Sequence, residues 1–183
     1  MALESAPLTR ADLDQTLKKY QKVHTLEVDF KQVKELRDLD MKLVSTGHLT
    51  VRPPDFMKWE VVKPSPLIFT MEGEKIRLQG KSESDEIDLG SMSQDHRREL
   101  SQLLSWLRFD VDAISAQYSI YKTGPADFRF EPKSEGHFKK IEMKMNAQGH
   151  LRLVQFLEIS GDTLRIEFER PQIAYSTPNA KAL

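Results

Sequence analysis

The strongest constraint on the fold is a set of short segments in which apolar and polar residues alternate. Between His24 and Gln32, Leu26, Val28 and Phe30 are separated by single charged residues, which is the period of a half-buried β-strand. Similar segments recur along the chain between turn residues and predict about nine or ten short strands. Hairpin-length connections join antiparallel strands, so the pattern predicts a curved antiparallel sheet or barrel.

Two longer segments have helical periodicity. The first predicts a helix over about residues 9–23, with Thr9 as N-cap and Asp12 completing a weak capping box. The second, Gln94–Leu107, has leucines at the i, i+3, i+4 and i+7 spacing of one helix face, and a short turn of helix follows at Val111–Ala116. The leucines are Leu100, Leu103, Leu104 and Leu107. Two helices are too few for alternating β–α units, so the fold class is mainly β with helices (α+β).

Glycine and proline positions predict irregularities in the strands. Gly47 interrupts the apolar alternation of residues 43–52 and predicts a bend or bulge there. Pro171 is expected to end the last strand, and the tail over residues 171–183 is expected to be weakly ordered. The whole chain of 183 residues has the length of one domain.

Composition excludes several classes of function. The chain has 27 basic and 28 acidic residues, so a nucleic-acid partner is not expected. It has no cysteine, which excludes disulfides and thiolate catalysis. The longest apolar runs are too short to span a membrane. The first residues lack the basic and apolar regions of a secretory leader.

Catalytic, metal-binding and nucleotide-binding motifs are missing from the sequence. The eight glycines form neither a dinucleotide-binding fingerprint nor a phosphate loop, and the five histidines have no ligand spacing. The acidic residues at 83–88 do not follow the EF-hand pattern. Asp110 is better explained as the N-cap of the short helix after it than as one of a catalytic pair with Asp112. We therefore expect neither an enzyme nor a cofactor or metal.

One ordered set of short motifs is distinctive. The strand 30–32 reads Phe-Lys-Gln, residues 47–53 run from Gly to Arg-Pro, and residues 58–60 read Lys-Trp-Glu. Pro64 closes that strand, and Glu-Gly at 72–73 forms the next hairpin. In this order the motifs resemble those of the LolA/LolB family of periplasmic lipoprotein carriers. The resemblance extends over roughly residues 9–170 and includes a closing hairpin at 158–168.

The resemblance implies a fold and a function. The fold would be an incomplete antiparallel β-barrel, a half-barrel, whose concave apolar face lies under an α-helical lid formed by residues 94–116. The protein would be a soluble, monomeric, periplasmic chaperone that carries the acyl chains of lipoproteins. It would receive them from an inner-membrane lipoprotein transporter and pass them to an outer-membrane acceptor. A lipid-bearing N-terminal cysteine, typical of the acceptor, is missing here, which favours the carrier.

The resemblance also assigns roles to particular residues. Arg52, the arginine before the proline, would be the latch that holds the lid closed. Simple alternation places Arg52 on the face opposite Val51, so a latch requires a local bulge or a reversed face. The four leucines of residues 94–107 would form the lid's apolar stripe. The candidate acyl-lining residues, each of which is equally compatible with simple core packing, are Leu26, Val28, Phe30, Leu49, Val51, Met57, Trp59, Val61, Ile68, Ile76 and Leu78. Met143, Met145 and Phe156 would add adaptable surface.

Two further functions are compatible with the same fold. The cargo would be a free lipid, a glycolipid or another acyl compound in one of them. In the other, the domain would sense lipids of the cell envelope and report to a partner protein.

Overall fold

The computed structural model describes residues 7–18, 22–73, 75–80, 84–88 and 110–175. Two α-helices lie among them, α1 (Arg10–Leu17) and α2 (Val111–Gln117), and a 3-10 turn (Arg37–Leu39) joins the first two strands. The strands are β1 (Val23–Leu36), β2 (Met41–Arg52), β3 (Phe56–Lys63), β4 (Leu67–Glu72), β5 (Lys75–Gln79), β6 (Ser84–Asp88), β7 (Tyr118–Lys122), β8 (Asp127–Pro132), β9 (Phe138–Met145), β10 (Leu151–Glu158) and β11 (Thr163–Tyr175).

All eleven strands form one antiparallel sheet. Their order is β6-β5-β4-β3-β2-β1-β11-β10-β9-β8-β7, so two meanders meet where β1 pairs with β11. Within the described ranges the outermost strands, β6 and β7, do not pair with each other, and the sheet stays open. The predicted class, mainly β with helices and a barrel that does not close, is confirmed.

The hydrophobic core lies on one face of this sheet. Ile76, near one edge, and Ile120, at the other edge, are both 2% exposed and belong to the same apolar cluster. A flat sheet of this width would leave such a face open to water, and large twisted sheets curl. The sheet therefore curves around the cluster, and we call this side the concave face and the other side the outer face.

The predicted irregularity at Gly47 is confirmed. The register between β2 and β3 shifts between Thr46 and Gly47, as in a β-bulge. A Cβ atom on Gly47 would lie 1.8 Å from the backbone oxygen of Glu60 and 2.9 Å from Cζ of Phe30. The two strands approach closely here because this residue has no side chain.

The first helix begins as predicted and ends earlier. Thr9 is its N-cap, and its hydroxyl oxygen accepts a hydrogen bond from the backbone N–H of Asp12 in a capping box. The helix ends at Leu17, and Val23 is not helical, because it begins β1 opposite Tyr175. The predicted helix over 94–107 lies outside the described residues.

The prediction that Pro171 ends the last strand is wrong. In the β1–β11 ladder, Asp29 pairs with Glu169 and Glu27 pairs with Gln172, so two residues of β11 face one residue of β1. Arg170, the first of these two, has a φ of 53°, and its guanidinium lies 2.6 Å from the carboxylate of Asp29. Proline is tolerated at a bulge because its missing N–H has no ladder partner there. The strand resumes and continues to Tyr175.

Candidate ligand-binding face

Ten of the eleven predicted lining residues lie together on the concave face. The strand register arranges them, with their neighbours, in three rows that cross β1 to β5. The first row is Leu26, Val51, Met57, Met71 and Ile76; the second is Val28, Leu49, Trp59, Phe69 and Leu78; the third is Phe30, Gly47 and Val61. Nearly all of these side chains are buried in the apolar cluster or packed against it.

Ile68 was predicted to line the concave face, but it lies on the other side of the sheet. Ile68 pairs with Glu60 on one side and Gln79 on the other, which puts it on the outer face. Phe69 and Met71, which the sequence analysis missed, occupy the concave face of the same strand. The sequence indicates these positions, because residues two apart in a strand lie on the same side and the residues two and four after Ile68 are the polar Thr70 and Glu72.

A stacked aromatic pair lies in the part of the concave face that β1 to β5 form. The rings of Phe30 and Trp59 stack at a centroid distance of 4.1 Å with an interplanar angle of 29°. Phe30 reaches Trp59 over Gly47, whose missing side chain leaves the space for the ring. Offset aromatic pairs of this kind contribute about 0.5–1.5 kcal/mol beyond the area that they bury.

The strands β7 to β11 extend the same apolar face. One row across them begins with Ile120 and ends with Leu164, and between these lie Phe130, Ile141 and Phe156. Met143, expected to add adaptable surface, is buried in the same cluster, and Met145 packs against it. The concave face is thus apolar from one meander to the other.

The two helices contribute the apolar residues that cover part of this face. Leu13 of α1 and both Val111 and Ile114 of α2 are buried members of the cluster. Asp110 is the N-cap of α2, as predicted, since its carboxylate accepts a hydrogen bond of 3.0 Å from the backbone N–H of Ala113. The α2 helix is the described part of the predicted lid. The leucine stripe of residues 94–107 lies outside the described residues.

The candidate latch, Arg52, lies on the outer face. The register between Val51 and Arg52 shows no shift, so alternation holds and the exposed Arg52 faces away from the concave lining. Its guanidinium carbon is 3.9 Å from the ring centroid of Phe56, a cation–π contact. Neither the bulge nor the reversed face that a latch requires is present at this position.

The described ranges contain neither a cluster of metal ligands nor a helix that could span a membrane. No group of three or more histidine, aspartate or glutamate side chains there is placed to hold a metal ion. Neither described helix is long and apolar enough to cross a membrane. The chemistry that the concave face offers is apolar contact.

Comparison with solved structures shows the fold. The chain is similar to the MucA/MucB complex of Pseudomonas aeruginosa, with a TM-score of 0.54 and 13% identity, over 93% of this chain and 59% of that one. It is also similar to a DUF1329 family protein from Desulfovibrio piger, with a TM-score of 0.52 and 9% identity, over 96% and 97% of the two chains. A LolA superfamily protein from Nitrosomonas europaea aligns over 94% and 96% of the chains at 9% identity, with a TM-score of 0.47.

Comparison with protein families gives the identity that the motifs predicted. No curated protein matches the sequence significantly. The model of the family described as outer membrane lipoprotein carrier protein LolA matches residues 21–181. Members of that family are binding and carrier proteins rather than enzymes. Because the match covers most of the chain, the resemblance is confirmed, and the protein belongs to the LolA family.

Proposed function

We propose that this protein is a soluble periplasmic chaperone that binds the acyl chains of lipoproteins on its concave face and delivers them to the outer membrane. The observation that carries the proposal is the apolar face itself, which is continuous across both meanders of an open sheet and lies under helices. Membership of the LolA family supports the same cargo.

The physical reason for such a carrier is the cost of exposing acyl chains to water. Each methylene removed from water stabilises the bound state by about 0.8 kcal/mol, so two or three chains amount to tens of kcal/mol. In the present structure the face is packed, with residues such as Met57 and Ile114 almost fully buried. Loading therefore requires that a covering helix moves aside and that acyl chains replace its contacts.

The family supports the partners as well as the cargo. The carrier would take lipoproteins from an inner-membrane transporter and give them to an outer-membrane acceptor, and it would act as a monomer. The latch role of Arg52 stays a prediction of the resemblance, which the outer-face position of Arg52 does not support. Cargo handover by Arg52→Leu tests it: impaired handover supports a latch, and handover equal to wild type contradicts it.

A second function fits one of the comparisons. The chain matched in the MucA/MucB complex is about 1.7 times as long as the aligned region, since the match covers 59% of it. A domain of this fold that binds a protein partner would suit an envelope lipid sensor. A carrier of a different lipid would use the same concave face with another cargo.

Incubation of the purified protein with spheroplasts separates these functions. A lipoprotein carrier releases lipoproteins into the soluble fraction, bound to the protein. If no lipoprotein is released but a fluorescent acyl probe binds, the cargo is another lipid or the domain is a sensor. If neither occurs, the proposal is wrong.

A further inference from the structure

A buried carboxylate lies at one end of the concave face, most of which is apolar. Glu158, the last residue of β10, is the only buried charged residue of the described part of the chain, and its side chain is 7% exposed. Its Oε1 accepts a hydrogen bond of 3.2 Å from Nζ of Lys34, and its Oε2 lies 3.1 Å from Nε2 of His137. Burial of a carboxylate lowers the stability of the folded state unless the carboxylate is paired. Lys34 and His137 provide this pairing for Glu158.

Lys34 itself lies in an apolar row of the concave face. In the register it pairs with Leu164 on one side and with Leu43 on the other, and Phe156 follows Leu164 in the row. The Lys34 side chain is 35% exposed, and its ammonium is held by Glu158. An ammonium has three N–H donors, and Glu158 accepts one hydrogen bond from it.

An exposed apolar residue lies next to each member of the Lys34–Glu158 pair. Leu43, directly opposite Lys34, is 50% exposed, and Ile159, next to Glu158 in sequence, is 63% exposed. A fixed cation at the end of an apolar face, with exposed apolar residues beside it, is complementary to an amphiphile with an anionic head.

We propose that Lys34 binds the phosphate or carboxylate head group of an anionic lipid whose acyl chains lie on the concave face. Glu158 is a positioning residue, since it holds the ammonium in the apolar row. The inference rests on the proposed acyl-binding function and goes beyond the lipoprotein cargo, because it adds anionic lipids as a ligand class, which a face without the cation would not prefer over neutral lipids.

The test compares oleate with oleyl alcohol, which has the same chain and a neutral head. Each ligand displaces a fluorescent acyl probe from wild type and from Lys34→Met at pH 8. We expect Lys34→Met to weaken oleate binding about tenfold, as for the loss of a charge-assisted hydrogen bond, and to change oleyl alcohol binding less than twofold. Lys34→Arg keeps the charge and should keep the preference for oleate.

A matched control lies on the other face. Lys58 is 38% exposed and is also paired with a glutamate, Glu60, at 2.7 Å, but the register places it on the outer face. Lys58→Met should leave the affinity for both ligands unchanged. Because Lys34→Met takes one of the two partners of Glu158 away and leaves only His137, the double variant Lys34→Met/Glu158→Gln removes both charges and should lose the same preference in a folded protein.

The outcomes separate this inference from the function on which it rests. If wild type binds both ligands equally, or if Lys34→Met weakens both equally, the head-group site is wrong while acyl binding stands. If neither ligand binds, the proposed function is wrong as well. Inorganic phosphate at millimolar concentration should not displace oleate, and displacement would show a site for free anions instead.

Discussion

At the scale of single residues, Gly47 shows how sequence and packing constrain each other. The sequence predicts an irregularity there, but not its cause, which is the approach of Phe30 and of the Glu60 backbone from two directions. Such an approach depends on residues that are far apart in sequence, so local pattern alone does not contain it. The Phe30–Trp59 stack and the bulge are therefore properties of the folded sheet.

We expect Gly47→Ala to destabilise the protein by about 1–3 kcal/mol or more, because a Cβ atom would overlap the Glu60 backbone oxygen and force the strands apart. Urea unfolding followed by circular dichroism measures the change. Gly136→Ala is the control, since no atom lies within 4 Å of the added Cβ, and its effect should stay within about 0.5 kcal/mol. Equal effects of the two substitutions would contradict this account of Gly47.

At the scale of secondary-structure elements, starts are easier to predict than ends. The caps Thr9 and Asp110 are local signals, because a side chain bonds to a backbone N–H three residues away. The end of α1 and the continuation of β11 beyond Pro171 are decided by pairing between β1 and β11, residues from opposite ends of the sequence. Both predictions, the end of α1 and the end of β11, therefore failed because the pairing of distant residues outweighs the local sequence signal.

The capping box of α1 gives a prediction with a pH dependence. The Thr9 hydroxyl and the Thr9 backbone N–H both donate to Asp12, and these hydrogen bonds hold the pKa of Asp12 below its ordinary value of 3.8. Because the folded pKa is lowered, the stabilisation is present above 3.8 and is lost as the pH falls through the folded value.

We expect Thr9→Ala to lower the free energy of unfolding by about 1 kcal/mol at pH 7, and by less at a pH low enough to protonate Asp12 in the folded protein. Urea titrations at the two pH values measure the difference. Thr16→Ala, in the interior of the same helix, removes a hydrogen bond from the Thr16 hydroxyl to the Asp12 carbonyl and should have little effect. A loss for Thr9→Ala that is the same at both pH values would contradict the role of ionised Asp12.

The covering helix α2 gives a prediction in which stability and binding change in opposite directions. Ile114→Val removes one methylene from the contact between α2 and the concave face and should cost about 1 kcal/mol of stability. If the packed state must open before loading, the same change favours the open state and should tighten acyl-probe binding up to about fivefold.

The control for α2 removes a methylene from the sheet itself. Ile166→Val lies on the concave face of β11, which does not move aside, so it should bring a similar loss of stability without tighter binding. Fluorescence titration with an acyl probe measures both variants. Weaker or unchanged binding by Ile114→Val would mean that α2 is not part of a mobile cover.

At the scale of the whole molecule, the sequence predicted the class, the open antiparallel sheet and the family. The class follows from period-two alternation, and the family follows from the ordered set of short motifs, although overall identity to the solved structures is only 9–13%. The face of most lining residues was also predictable, because alternation fixes which side chains share a side. The face of Ile68 was predicted wrongly because Ile68 stands between two apolar residues, and only the polar residues that follow at 70 and 72 reveal its side.

The second half of the candidate site was predicted only through Met143, Met145 and Phe156, because it comes from elements far along the chain. The apolar row from Ile120 to Leu164 joins the first meander only because β1 and β11 pair in the middle of the sheet. The ion pair between Lys34 and Glu158 depends on the same junction. No local motif predicts the row or the ion pair. The pairing of β1 with β11 joins the two meanders, so that their apolar sides form one continuous face.

The most direct test of the concave face as the acyl-binding surface uses two neighbours in β4. Phe69 packs against the core on the concave face, whereas Ile68 lies on the outer face between Glu60 and Gln79. An acyl probe is titrated against wild type, Phe69→Gln and Ile68→Gln, with folding checked by circular dichroism. The account predicts that Phe69→Gln weakens binding at least tenfold and that Ile68→Gln binds like wild type. Equal binding by the two variants, or a loss confined to Ile68→Gln, would contradict it.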